Sequence, residues 1–63
     1  MKFDIGDIII SKINKEIYIV LNIHDSLYEL YSIRFQTTGV FITGMVDYMF
    51  RKINDLEKAL YDV

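Results

Sequence analysis

The sequence predicts a mainly β fold, a small barrel of five (or four) short strands with a short C-terminal helix. Three observations carry that expectation. Apolar residues gather in short runs rich in β-branched and aromatic types, which suit a pleated, half-buried surface. Turn-forming residues separate the runs, as in Gly6-Asp7, His24-Asp25-Ser26 and Gln36 to Gly39. Beyond Asp47 the apolar spacing lengthens from two to three and four, the period of a helix.

Taken in order, Met1 to Gly6 leads in, and Gly6-Asp7 marks a turn before a first strand, Ile8-Ile9-Ile10. Ser11 to Lys15 is polar and reads as a loop, with Asn14 suited to a left-handed turn conformation. Glu16 to Phe35 follows as a long β-hairpin around His24-Asp25-Ser26, and most of the core packs on it. Ile17, Ile19, Leu21 and Ile23 share one face, and Tyr18 and Val20 the other, followed by Asn22 and His24. In the second run Leu27, Tyr31, Ile33 and Phe35 share a face interrupted by Glu29, while Tyr28 and Leu30 point away.

Neither run alternates cleanly between apolar and polar, as a one-layer sheet with a wet face would. Either a bulge switches the register near Asn22 or Glu29, or something covers the second face. The cover is a curled sheet, a C-terminal helix or another copy of the chain. Gln36 to Gly39 makes the next turn, with Gly39 supplying a positive φ. Val40 to Thr43 is a fourth strand, which Gly44 ends or bends.

Val46, Met49, Ile53, Leu56, Leu60 and Val63 form a helical stripe. Asp47 suits an N-cap, and Asn54-Asp55-Leu56-Glu57 is a second helix start of capping-box type. One helix over 47–62 fits the stripe. The favoured version is broken: a turn over 45–50, an edge strand at 51–53 and a helix from Asp55, because Asn54-Asp55 suits a helix interior poorly.

Sixty-three residues make one domain, 1–63, of a size that hides only about 60% of its unfolded surface. With no cysteine and one histidine, neither disulfides nor a structural zinc is expected to stiffen it, and no cofactor is called for. Yet the chain is 52% hydrophobic, with a mean hydropathy of +0.23. That surplus points to a self-associating or partner-binding surface. A net charge of -2 argues against a general nucleic-acid binder. No signal peptide or membrane span is apparent, so a cytoplasmic location is expected.

Four segments give the chain a family likeness: Gly6-Asp7-Ile8-Ile9-Ile10, Tyr18-Ile19-Val20, Tyr28-Glu29-Leu30 and Arg51-Lys52-Ile53. Together they resemble a small Src-homology-3-like barrel of the KOW type, a pattern found in small phage and mobile-element accessory proteins. The resemblance spans about residues 5 to 53 and implies the fold alone. There is no tryptophan-bearing groove for proline-rich peptides and no broad basic surface, so neither activity of such barrels is carried over.

Candidate chemistry is sparse. His24-Asp25-Ser26 holds the three residue types of a hydrolase triad, but consecutive residues cannot form that relay, and a hairpin turn accounts for them. Asp4 and Asp7 are two carboxylates where a calcium loop needs many more oxygens. No catalytic residue, cofactor site or metal site is expected, and the chain is not read as an enzyme. Tyr18, Tyr28, Tyr31, Phe35 and Arg34 form the densest aromatic-plus-arginine group, the chemistry of interface hot spots. With Glu29, an acid within an apolar strand face, they are the candidate partner-binding residues. The expected function is a non-catalytic interaction module, an accessory or inhibitor protein that binds a larger protein and forms a homo-oligomer, a dimer. The alternative is a nucleic-acid-binding barrel using Arg34, Arg51, Lys52 and the tyrosines.

Overall fold

The computed structural model describes residues 1–63. The elements run β1 (Ile8–Ser11), β2 (Ile17–His24), β3 (Leu27–Ser32), β4 (Thr37–Ile42), α1 (Thr43–Met49), β5 (Phe50–Lys52) and α2 (Asp55–Tyr61). The fold is mainly β, a five-stranded antiparallel sheet in the order β4-β3-β2-β1-β5. No ladder joins β4 to β5, so the sheet stays open where a closed barrel was expected, and it remains compatible with a Src-homology-3-like fold. The chain from Thr43 to Met49 coils as α1 between the two edges.

The sheet is nevertheless curled. β4 and β5 each lie two strands from β2, roughly 10 Å away in a flat sheet. The Tyr18 ring of β2 meets Phe41 of β4 at 6.1 Å and Phe50 of β5 at 5.4 Å, both edge-to-face. Both edges therefore bend toward one side. There Ile9, Val20, Tyr28 and Leu30 pack with Phe3 of the lead-in, Val46 of α1 and Phe50. Burying each such side chain contributes about 1.5–3 kcal/mol. On the opposite face a smaller cluster joins Ile10, Ile17 and Ile53.

The register shifts between Val20 and Asn22, so the expected bulge is real and sits at the first of the two positions named for it. Leu21 and Asn22 both stand against Glu29, and Ile23 moves to the core face beside Tyr28. Without that extra residue, Ile23 would lie on the outer face with Ile17 and Ile19.

Two turns share one construction. After β1, the Lys15 amide bonds the Ser11 carbonyl at 3.1 Å, and the Ser11 hydroxyl accepts from Ile13 and Asn14. After β3, the Gln36 amide bonds the Ser32 carbonyl at 2.8 Å, and the Ser32 hydroxyl accepts from Phe35. Both close on a left-handed residue, Lys15 at φ 63° and Gln36 at φ 53°. The expectations for Asn14 and Gly39 are thus corrected. Gly39 lies inside β4 opposite Leu30, where a Cβ would stand only 3.1 Å from the Phe41 ring, so its absence makes room for that ring.

The broken C-terminal reading holds, with β5 starting one residue earlier and α1 two residues earlier than expected. Asp47 falls inside α1, whose N-cap position is Ile42. At the other end of α1, the Lys2 ammonium donates to the Asp47 and Phe50 carbonyls and that of Lys12 to Tyr48, a favourable place for positive charge. Asn54 caps α2 with a reciprocal capping box to Glu57. Arg51 then grips Glu57 through two bonds of 2.7 and 2.6 Å.

Two measurements follow from these contacts. Lys15→Gly and Gln36→Gly should each stabilise the protein, by about 0.5–1 kcal/mol in urea unfolding, because glycine adopts a left-handed φ without the Cβ conflict. Equal or lower stability would contradict the strain. The Arg51 guanidinium, aided by the Asn54 amide, lowers the Glu57 pKa to about 2 from 4.5. A depressed carboxylate contributes stability above its unfolded pKa and loses it as pH falls through its folded one. The melting-temperature gap between wild type and Glu57→Gln should therefore be full above pH 4.5 and close toward pH 2.

Candidate functional site

The outer face of the sheet is apolar where an ordinary antiparallel sheet turns polar. Its rows follow from the register: Ile8, Ile19, Tyr31 and Thr38 across β1 to β4, then Leu21 and Asn22 with Glu29 and Val40, then His24, Leu27 and Ile42. Only the Ile10–Ile17–Ile53 corner of this face is sealed. Toward β4 it opens, with Val40 62%, Ile42 64% and, in the preceding turn, Phe35 65% exposed. Glu29 stands within this face, and its carboxylate accepts from the Asn22 amide at 3.2 Å.

The six residues singled out from sequence divide three ways. Glu29 and Tyr31 lie half-buried on the outer face. Arg34 and Phe35 project from the β3–β4 turn, Arg34 over the Phe35 ring at 5.3 Å and paired with Glu16. Tyr18 and Tyr28 point the other way, into the core. β3 ends at Ser32, so Phe35 does not share a strand face with Tyr31 as expected.

Tyr28 is fully buried, 0% exposed, and offers no surface to a partner. Its hydroxyl donates to Asp47 Oδ1 at 2.8 Å and accepts from the Phe3 and Lys2 amides at 3.1 and 3.2 Å. Burial chiefly raises its pKa above 10, with the Asp47 carboxylate pushing the same way. The group is structural.

The three basic residues of the nucleic-acid alternative are engaged locally. Arg34 pairs with Glu16, Arg51 with Glu57 and Lys52 with Asp7. Asp7 also accepts from the Asp4 amide at 2.9 Å, so these two acids build the turn around Gly6, which sits at φ 93°. His24 ends β2, and Asp25 at φ 51° turns the hairpin with Ser26. No three acidic or histidine side chains converge to hold a metal. An open pocket of about 490 Å³ lies behind α1, lined by Lys12, Ile13, Asp47, Tyr48 and Met49.

Val40 and Ile42 belong to the candidate surface although sequence reasoning named them only as strand residues. A signal for them was present: from Phe35 to Val46 the chain carries no charge, its longest such run. No protein-family model, curated protein or solved structure matches the chain.

Tyr28→Phe should destabilise the protein by about 1–3 kcal/mol in urea unfolding, since two amides and a carboxylate lose their common partner. A raised tyrosine pKa contributes stability that is complete below pH 10 and declines above it. The gap between wild type and Tyr28→Phe should accordingly narrow as pH rises past 10. A gap that widened would overturn the assigned role.

Proposed function

We propose that the chain is a non-catalytic protein-interaction module, a small Src-homology-3-like accessory or inhibitor protein of the phage or mobile-element kind. It binds a larger protein through the outer face of its sheet and also self-associates. The observation that carries this reading is the apolar outer face left open toward β4. Tyr31, Leu27, Val40 and Ile42 supply the apolar contact, Glu29 a polar point within it, and Arg34 with Phe35 the rim. Tyr18 and Tyr28 serve the same surface from behind by fixing the curl of the sheet. The nucleic-acid alternative has less support, because Arg34, Arg51 and Lys52 are each paired with a carboxylate.

The test is affinity capture from a source-cell lysate with wild type and with two variants, Tyr31→Lys and Leu27→Lys, each first shown to be folded by circular dichroism. Wild type should retain one protein in stoichiometric amount, and both variants should lose it at least about tenfold, as expected for hot-spot positions. Equal capture by all three would overturn the reading. So would tight nucleic-acid binding that weakens steeply with salt.

A further inference from the structure

The two edges of the sheet are protected very differently. β5 is three residues long and carries Arg51 and Lys52, the length and charge that discourage further pairing. β4 is six residues, Thr37-Thr38-Gly39-Val40-Phe41-Ile42, with no charge, no proline and no register break against β3. Its other side faces no strand, so a row of backbone donors and acceptors is left without sheet partners. A strand of that kind is a template for another strand.

We infer that β4 pairs antiparallel with β4 of a second copy, joining two five-stranded sheets into one of ten strands. This rests on the self-association put forward above and is independent of any larger partner. Three features favour a second copy as the occupant. Because Phe35 to Val46 is uncharged, a two-fold antiparallel pairing sets no like charges opposite each other in any register along it. The pairing is self-complementary, since it brings the start of one β4 to the end of the other. Phe35, exposed at the start, then meets Ile42 and Met45, exposed at the far end. A stable dimer also needs area. A standard interface takes about 800 Å² from each partner, close to a fifth of this chain's 4202 Å². The β4 backbone and side chains supply part of it, and Phe35, Leu27 and Met45 extend it at both ends. The outer faces of the two copies become continuous across the junction.

The absence of cysteine from the natural chain allows a direct test. Single variants Thr38→Cys and Val40→Cys on β4, and Leu56→Cys on α2, are oxidised at micromolar concentration, and sedimentation of the unoxidised proteins gives the oligomeric state. The inference expects a concentration-dependent dimer and rapid disulfide-linked dimers from at least one β4 variant, well ahead of the α2 variant. It also expects Val40→Lys to weaken dimerisation about tenfold or more while the circular dichroism spectrum stays unchanged. Amide exchange within 37–42 should slow as concentration rises. Faster cross-linking through Leu56→Cys, or a dimer in which 37–42 gains no protection, would overturn β4 pairing and leave self-association standing. A monomer at every concentration would overturn both.

Discussion

The hydroxyl of Tyr28 is where three segments distant in sequence are tied together. It belongs to β3, receives the amides of Lys2 and Phe3 from the lead-in, and gives its proton to Asp47 of α1. The lead-in is irregular backbone whose amides need partners, and this side chain supplies two of them. Phe3 is thereby placed against the Tyr28 ring at 6.0 Å, and Val46 lies in the same cluster. With Tyr28 in position, one face of the sheet acquires a lid made of the first residues and α1. Every buried side-chain polar atom has a hydrogen-bond partner, so the arrangement leaves no polar group to favour a competing packing.

That lid accounts for what the other face lacks. A chain this short has only enough remaining structure to cover one side of its sheet. Phe3, Val46 and Met49 serve the inner face, and on the outer face Ile53 joins only a small cluster with Ile10 and Ile17, flanked by Ile8 and Ile33. The isoleucines, tyrosine and valine of the outer rows are the apolar surplus visible in the composition. They support the interaction-module reading through simple geometry: two apolar faces and one lid.

The first three strands were legible because each is a run of β-formers ended by turn residues, and the bulge because Asn22 and Glu29 broke the alternation. β4 instead begins at Thr37, inside the turn expected over Gln36 to Gly39, and ends at Ile42, with Thr43 opening α1, because the chain already turns at 33–36 behind Ser32. The division of the C-terminal segment was legible through Asn54, which caps far better than it fills a helix. Other features depend on tertiary packing. The left-handed positions fell to Lys15 and Gln36 because a serine at the end of each preceding strand closes the turn four residues on, regardless of where Asn14 and Gly39 stand. Gly39 answers to the Phe41 ring, a contact between strand neighbours two residues apart. For the candidate site, residue type identified Tyr18, Tyr28 and Tyr31 together. Only register separates them, since a tyrosine one position along the strand faces the opposite side.

The C-terminal helix has an unusual standing. α2 buries none of its residues, and Leu56 and Leu60 are 70% and 72% exposed, so the second half of the apolar stripe has no cover within the chain. A seven-residue helix without tertiary packing does not persist in water on its own propensity. This one is held by its capping box, by Arg51 on Glu57, by acids in its first turn, by Lys58 in its last and by a left-handed Asp62 at its end. Nucleation, the costly step of forming a helix, is complete before anything touches those leucines. A molecule that comes to rest on them meets a preorganised ridge, and the ordering entropy that a floppy tail would forfeit on contact has been lost already, when the chain folded.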